Sequence, residues 1–60
     1  IRFSPVENGE WTLTDVTGRT ITKEPTKPGE IYSAKVSTAG IYFFTFVNAE
    51  GEVEVRKLIL

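Results

Sequence analysis

Over residues 10–16 the chain alternates, with Trp11, Leu13 and Asp15 on one side and Thr12, Thr14 and Val16 on the other. A two-residue period is the mark of a strand with one buried face. It recurs over residues 30–36, where Tyr32, Ala34 and Val36 form the candidate core face against Ile31, Ser33 and Lys35. Residues 41–47 are nearly all apolar, which predicts a strand covered on both sides. There Tyr42, Phe44 and Phe46 share one face, and Ile41, Phe43, Thr45 and Val47 share the other. Residues 52–60 alternate Val53 and Val55 against Glu54 and Arg56, then become apolar on both faces at Leu58, Ile59 and Leu60. Residues 1–6, ended or held at an edge by Pro5, and residues 19–23 complete six predicted strands.

Turn residues separate these runs. Asn8-Gly9 is a strong turn dipeptide, and Asp15-Val16-Thr17-Gly18-Arg19 predicts a tight hairpin with a positive φ at Gly18. The stretch Glu24-Pro25-Thr26-Lys27-Pro28-Gly29 reads as the long loop, because two prolines lack ladder donors. Ser37-Thr38-Ala39-Gly40 and Asn48-Ala49-Glu50-Gly51 are further turns. No window carries a helical period. Six Val, five Ile and eight Thr stand against three Ala, three Leu and no Met, a bias that suits a pleated sheet and crowds a helix. The expectation is a single all-β domain over residues 1–60, a small antiparallel sandwich or open barrel of about six short strands. Trp11, Leu13, Ala34, Val36, Phe44 and Phe46 are its predicted core.

Composition narrows the chemistry. There is no cysteine and no histidine, so a thiol nucleophile, a disulfide framework, a Cys/His zinc site and a His-based triad are all absent. Seven basic against eight acidic residues leave a net charge of −1, with none of the basic excess that nucleic acids or anionic membranes select. No apolar run is long enough for a membrane-spanning helix; the longest uncharged stretch, residues 36–49, is broken by Ser37, Thr38, Gly40, Thr45 and Asn48. Glu50, Glu52 and Glu54 are the one carboxylate cluster, read as a solvated face beside Arg56 or Lys57 rather than a cation site. Ser4, Ser33 and Ser37 have no activating base beyond the proximity of Lys35 to Ser33. The aromatic strand around Phe43 and Phe44 reads as core rather than an RNA platform, and Trp11 with Tyr32 or Tyr42 could stack on a sugar only if exposed. The reading is therefore a non-enzyme without a cofactor or metal. The first residue is Ile1 rather than Met, which suggests a processed chain or the C-terminal portion of a longer protein.

Two segments together resemble a known family. Trp11 through Ile21 carries a hydrophobic-x-Asp-hydrophobic-x-Gly-Arg-x-hydrophobic unit on Asp15, Gly18 and Arg19. The closing segment runs from Gly40-Ile41-Tyr42 through Gly51 to Arg56-Lys57-Leu58-Ile59. In that order and spacing, over residues 10–60, they are similar to the C-terminal sorting domains of proteins exported by the bacterial type IX secretion system. The resemblance implies an Ig-like β-sandwich that serves as an address for an upstream passenger domain. The outer-membrane translocon would recognise it, and a sortase would usually remove it. The cargo would travel via the periplasm and end secreted or on the cell surface of a Gram-negative bacterium. The recognition residues carried over are Asp15, Gly18 and Arg19 from the first motif. Gly40, Tyr42, Gly51, Lys57, Leu58 and Ile59 carry over from the second. The family opens with an Asn-Pro-rich strand and one extra strand, where this chain has only Phe3-Ser4-Pro5-Val6.

Two functions of different class follow. One is a transport signal, which would use the edge of the last strand or the patch around Lys57 to engage its receptor. The other is a structural Ig-like spacer or adhesion module of a larger extracellular protein, with a possible carbohydrate association.

Overall fold

The computed structural model describes residues 1–36 and 38–60, and every described element is a strand or a turn. The strands are β1 (Arg2–Phe3), β2 (Gly9–Asp15), β3 (Thr20–Thr26), β4 (Tyr32–Ser33), β5 (Ile41–Asn48) and β6 (Val53–Ile59). They form two antiparallel sheets, one in the order β3-β2-β5-β6 and one of β1 paired with β4. The fold is an all-β sandwich of six strands, as the alternation predicts. The turn predicted at 37–40 begins at Ser37, which lies outside the described residues.

The core lies where the alternating faces meet. Trp11 and Leu13 of β2 are fully buried, and Tyr42, Phe44 and Phe46 of β5 are nearly so. Register makes them neighbours: Trp11 sits opposite Phe46, and Leu13 opposite Phe44. Phe3 closes the cluster from the small sheet, with its ring centroid 4.7 Å from Phe44, 5.5 Å from Phe46 and 6.2 Å from Trp11. Such tilted and edge-on contacts favour aromatic packing beyond the area they bury. Ala34 and Val36 pack against this core only half-buried, because β4 is two residues long and neither belongs to it. Tyr42 takes the place expected for them.

The long loop expected over 24–29 begins later than predicted, because β3 continues through Glu24, Pro25 and Thr26. A proline is excluded from a central strand, but β3 is an edge. The backbone bond from Ala49 N to Asn8 O, 3.1 Å, fixes which residues of β2 bond to β5. Hydrogen-bonded pairs recur every second residue in an antiparallel ladder. Glu10 therefore bonds toward β5, and Pro25 opposite it turns its nitrogen to the outside, where no donor is required. The turn read at Asn8-Gly9 falls in a bend over residues 6–8, just before β2. Gly9 opens β2, and its Cα lies so close to β5 that an added Cβ would sit 2.2 Å from the Val47 carbonyl oxygen.

The two-sided burial expected for residues 41–47 does not occur. Tyr42, Phe44 and Phe46 face the core, but Phe43, Thr45 and Val47 are only partly covered and Ile41 is exposed. The second sheet covers one side of the large sheet, and no described element covers the other. β6 departs further from its predicted half-burial. Val53, Val55 and Ile59 lie on the outer face at 62%, 58% and 77% exposure. Leu58 alone in β6 is half-buried, packed against the core.

Candidate functional site

Residues 15–19 form a hairpin turn organised by one carboxylate. Asp15 Oδ1 accepts from the Thr17 backbone N–H at 3.0 Å, the Thr17 hydroxyl at 2.6 Å and the Arg19 N–H at 3.0 Å. Its other oxygen lies 3.2 Å from Arg19 Nε. Two backbone bonds close the turn, Gly18 N to Asp15 O and Asp15 N to Arg19 O, both 3.0 Å. Gly18 takes φ +89°, as predicted, in the region that β-branched residues avoid. The Thr17 hydroxyl holds the Asp15 carboxyl below its ordinary pKa; desolvation, next in size, opposes it, and the Arg19 and Thr17 N–H groups and the Arg19 charge add to the lowering. The carboxylate is thus consumed by the turn, while the Arg19 side chain remains largely exposed.

The register of the large sheet brings the second motif to this turn. Asp15 pairs with Tyr42, and Tyr42 pairs with Leu58, so three residues far apart in sequence form one row across β2, β5 and β6. Tyr42 is buried, and its hydroxyl donates to the Thr38 carbonyl. Gly40 exchanges both backbone bonds with Leu60, at 2.9 Å each, and ties the entry of β5 to the end of β6. Ile59 stands opposite Ile41, and Lys57 opposite Phe43, on the outer face. An open groove of about 300 Å³ lies at this corner, bordered by Asp15, Arg19, Ile21, Lys35, Gly40 and Tyr42. Ile21 reaches it through a bulge: Leu13 pairs with Thr22 and Thr14 with Thr20, which leaves Ile21 the extra residue. Among the described residues, neither Lys35 nor Lys57 forms an ion pair, so with Arg19 they give this end of the sheet a basic rim.

Eight of the nine residues carried over from the resemblance therefore gather at one end of the sheet, and Gly51 does not. It lies in the β5–β6 hairpin at the far end of the eight-residue β5, on the order of 25 Å away. Its local partner, Asn48, has no counterpart in the motifs, yet organises that hairpin. The pattern Asn48-x-x-Gly51 repeats Asp15-x-x-Gly18 and was the available signal.

The sugar-stacking and nucleic-acid readings of the core aromatics do not fit the geometry. Trp11 is fully buried and Tyr42 nearly so, so neither can stack on a sugar; Phe44 and Phe46 likewise face the core rather than a nucleic acid. Glu52 accepts from Asn48 Nδ2 at 2.9 Å and Glu54 accepts from Arg56 Nε at 2.8 Å. Among the described residues, no group of three His, Cys, Asp or Glu side chains is placed to hold a metal ion, and no helix is long and apolar enough to cross a membrane. Compared with protein-family models, curated proteins and solved structures, the chain matches none.

Proposed function

We propose that this chain is a sorting domain of the type IX route, an Ig-like address module that directs an upstream passenger across the outer membrane. The observation that carries the reading is the row Asp15–Tyr42–Leu58, which sets the two halves of the resemblance side by side. A folded address needs exposed determinants on a rigid support. Here Arg19, Lys57 and Ile59 are exposed, while Asp15, Gly18, Gly40, Tyr42 and Leu58 hold the turn, the strand entry and the packing beneath them. On this reading Gly51 keeps the far hairpin folded and is not a recognition residue.

The partners are those that the resemblance implies, the outer-membrane translocon and a sortase, and the cargo ends secreted or on the cell surface. The test fuses residues 1–60 behind a periplasmic reporter in a type IX-competent bacterium. Export of the reporter is the expected result, and its loss on deleting residues 57–60 follows. Retention in the periplasm in several such hosts would favour the structural module instead.

A further inference from the structure

The two edges of the large sheet are unlike. On β3 the outward positions include Pro25, which has no N–H, and Lys23, two devices that discourage pairing with another chain. On β6, among the described residues, no strand pairs with the outer side. The mutual bonds of Gly40 and Leu60 set the phase of the ladder, so Leu58, Arg56 and Glu54 bond to β5. Val53, Val55, Lys57 and Ile59 then direct their N–H and C=O groups to the open edge. The inner side of the same strand carries Glu54 and Arg56, which pair with each other at the surface.

We propose that this edge pairs with the β6 edge of a second copy of the chain, antiparallel about a two-fold axis at Val55, to form a continuous sheet of eight strands. The charge pattern of β6 selects the occupant and the register. A two-fold axis at Val55 places Glu54 of each copy opposite Arg56 of the other, twice, and Val55 opposite Val55. Axes at Glu54, Arg56 or Lys57 would instead set Glu54 against Glu54, Arg56 against Arg56 or Lys57 against Lys57, and like charges directly opposite are destabilising. Of these four registers only the Val55 axis joins opposite charges and opposes no like ones. It also pairs residues that all direct backbone groups outward, Val53 with Lys57 and Val55 with itself. The exposed apolar stripe of Val53 and Val55 becomes continuous across the axis. Such an isologous interface closes at two copies. This inference does not rest on the sorting proposal.

Sedimentation of the sixty-residue chain from about 10 μM to about 1 mM at low salt reads the association directly. The wild type is expected to shift from monomer to dimer, and to weaken as salt screens the charge pairs. Glu54→Arg and Arg56→Glu should each weaken the dimer by about tenfold, because two favourable pairs become two repulsive ones. An equimolar mixture of these two variants should associate about as well as the wild type, since each then meets its opposite charge. Far-UV circular dichroism confirms that each variant remains folded, and Val55→Pro, whose lost N–H faces the open edge, gives an independent break of the dimer. A wild type that stays monomeric throughout, or a dimer indifferent to both charge reversals, or a mixture that fails to recover association, overturns the proposal.

Discussion

Asn48 occupies in the β5–β6 hairpin the place that Asp15 occupies in the β2–β3 hairpin. Asp15 Oδ1 accepts from the N–H of Thr17 and Arg19, and Asn48 Oδ1 from the N–H of Glu50 and Glu52. In both turns the glycine three residues on donates to the backbone carbonyl at 3.0 Å, with φ +89° at Gly18 and +85° at Gly51. The turns differ in charge and in the Thr17 hydroxyl, which adds a bond to Asp15 that Glu50 does not make to Asn48. The carboxylate meets Arg19, whereas the Asn48 amide donates to Glu52 at 2.9 Å and faces Glu7 at 3.5 Å.

The two turns should therefore respond oppositely to charge. Asn48→Asp replaces a donor by a carboxylate facing Glu52 and Glu7, and should cost about 1 kcal/mol at neutral pH by urea denaturation. Added salt should reduce that deficit as it screens the repulsion between the carboxylates. A variant as stable as the wild type at neutral pH would show that the amide donor contributes nothing.

Asp15→Asn should show the reverse. The folded Asp15 carboxyl titrates below its ordinary value. Its contribution is thus complete above the unfolded pKa and is lost as pH falls through the lowered folded one. The difference in Tm between wild type and Asp15→Asn should be largest at neutral pH and shrink below about pH 4. A constant difference across that range would mean that the charge of Asp15 is not what the turn uses.

Gly18→Val should destabilise the chain by about 1 kcal/mol or more, because a β-branched residue is strained at that φ. Gly9→Ala fails for another reason. Its new Cβ would press on the Val47 carbonyl and the Phe46 ring, which should cost about 1–3 kcal/mol in urea titrations. Equal stability of Gly9→Ala and wild type would place β2 farther from β5 than the structure has it.

Trp11, the single tryptophan, is fully buried, and among the described residues its indole N–H has no partner. Its fluorescence should be blue-shifted in the folded chain and move to the red on unfolding, in step with the loss of β signal by circular dichroism. Emission already at the solvent-exposed position in native buffer would contradict the core.

Much of this architecture is legible in the sequence, for physical reasons that also mark where reading stops. The alternation of Trp11 and Leu13 and the aromatic face of β5 identify the core because a period of two has only one buried solution. Gly18 is legible because few residues tolerate its φ. Pro25 misleads because its meaning depends on whether its strand is central or an edge, which is a property of the whole sheet. The exposure of Val53 and Val55 is hidden for the same reason: their alternation is sound, but the side they occupy is uncovered. At the candidate site, both motifs can be read from the chain, while their meeting at Asp15, Tyr42 and Leu58 follows from register alone. The bulge that adds Ile21 to the groove needed the strand register, whereas the kinship of Asn48 with Asp15 was open to reading in their shared spacing to Gly51 and Gly18.

The central claim is that the corner built on Asp15, Tyr42 and Leu58 is the recognised surface. Deleting residues 57–60 also removes Leu58 from the core and Leu60 from its bonds with Gly40, so point changes at exposed positions test it more directly. The decisive measurement is reporter export with Arg19→Gln and Lys57→Glu together at the corner, compared with Glu50→Arg at the opposite hairpin. Circular dichroism establishes that all chains are folded. The account predicts that the corner pair abolishes export and that the distant change leaves it intact. Export unaffected by the corner pair, or lost equally with Glu50→Arg, would contradict it.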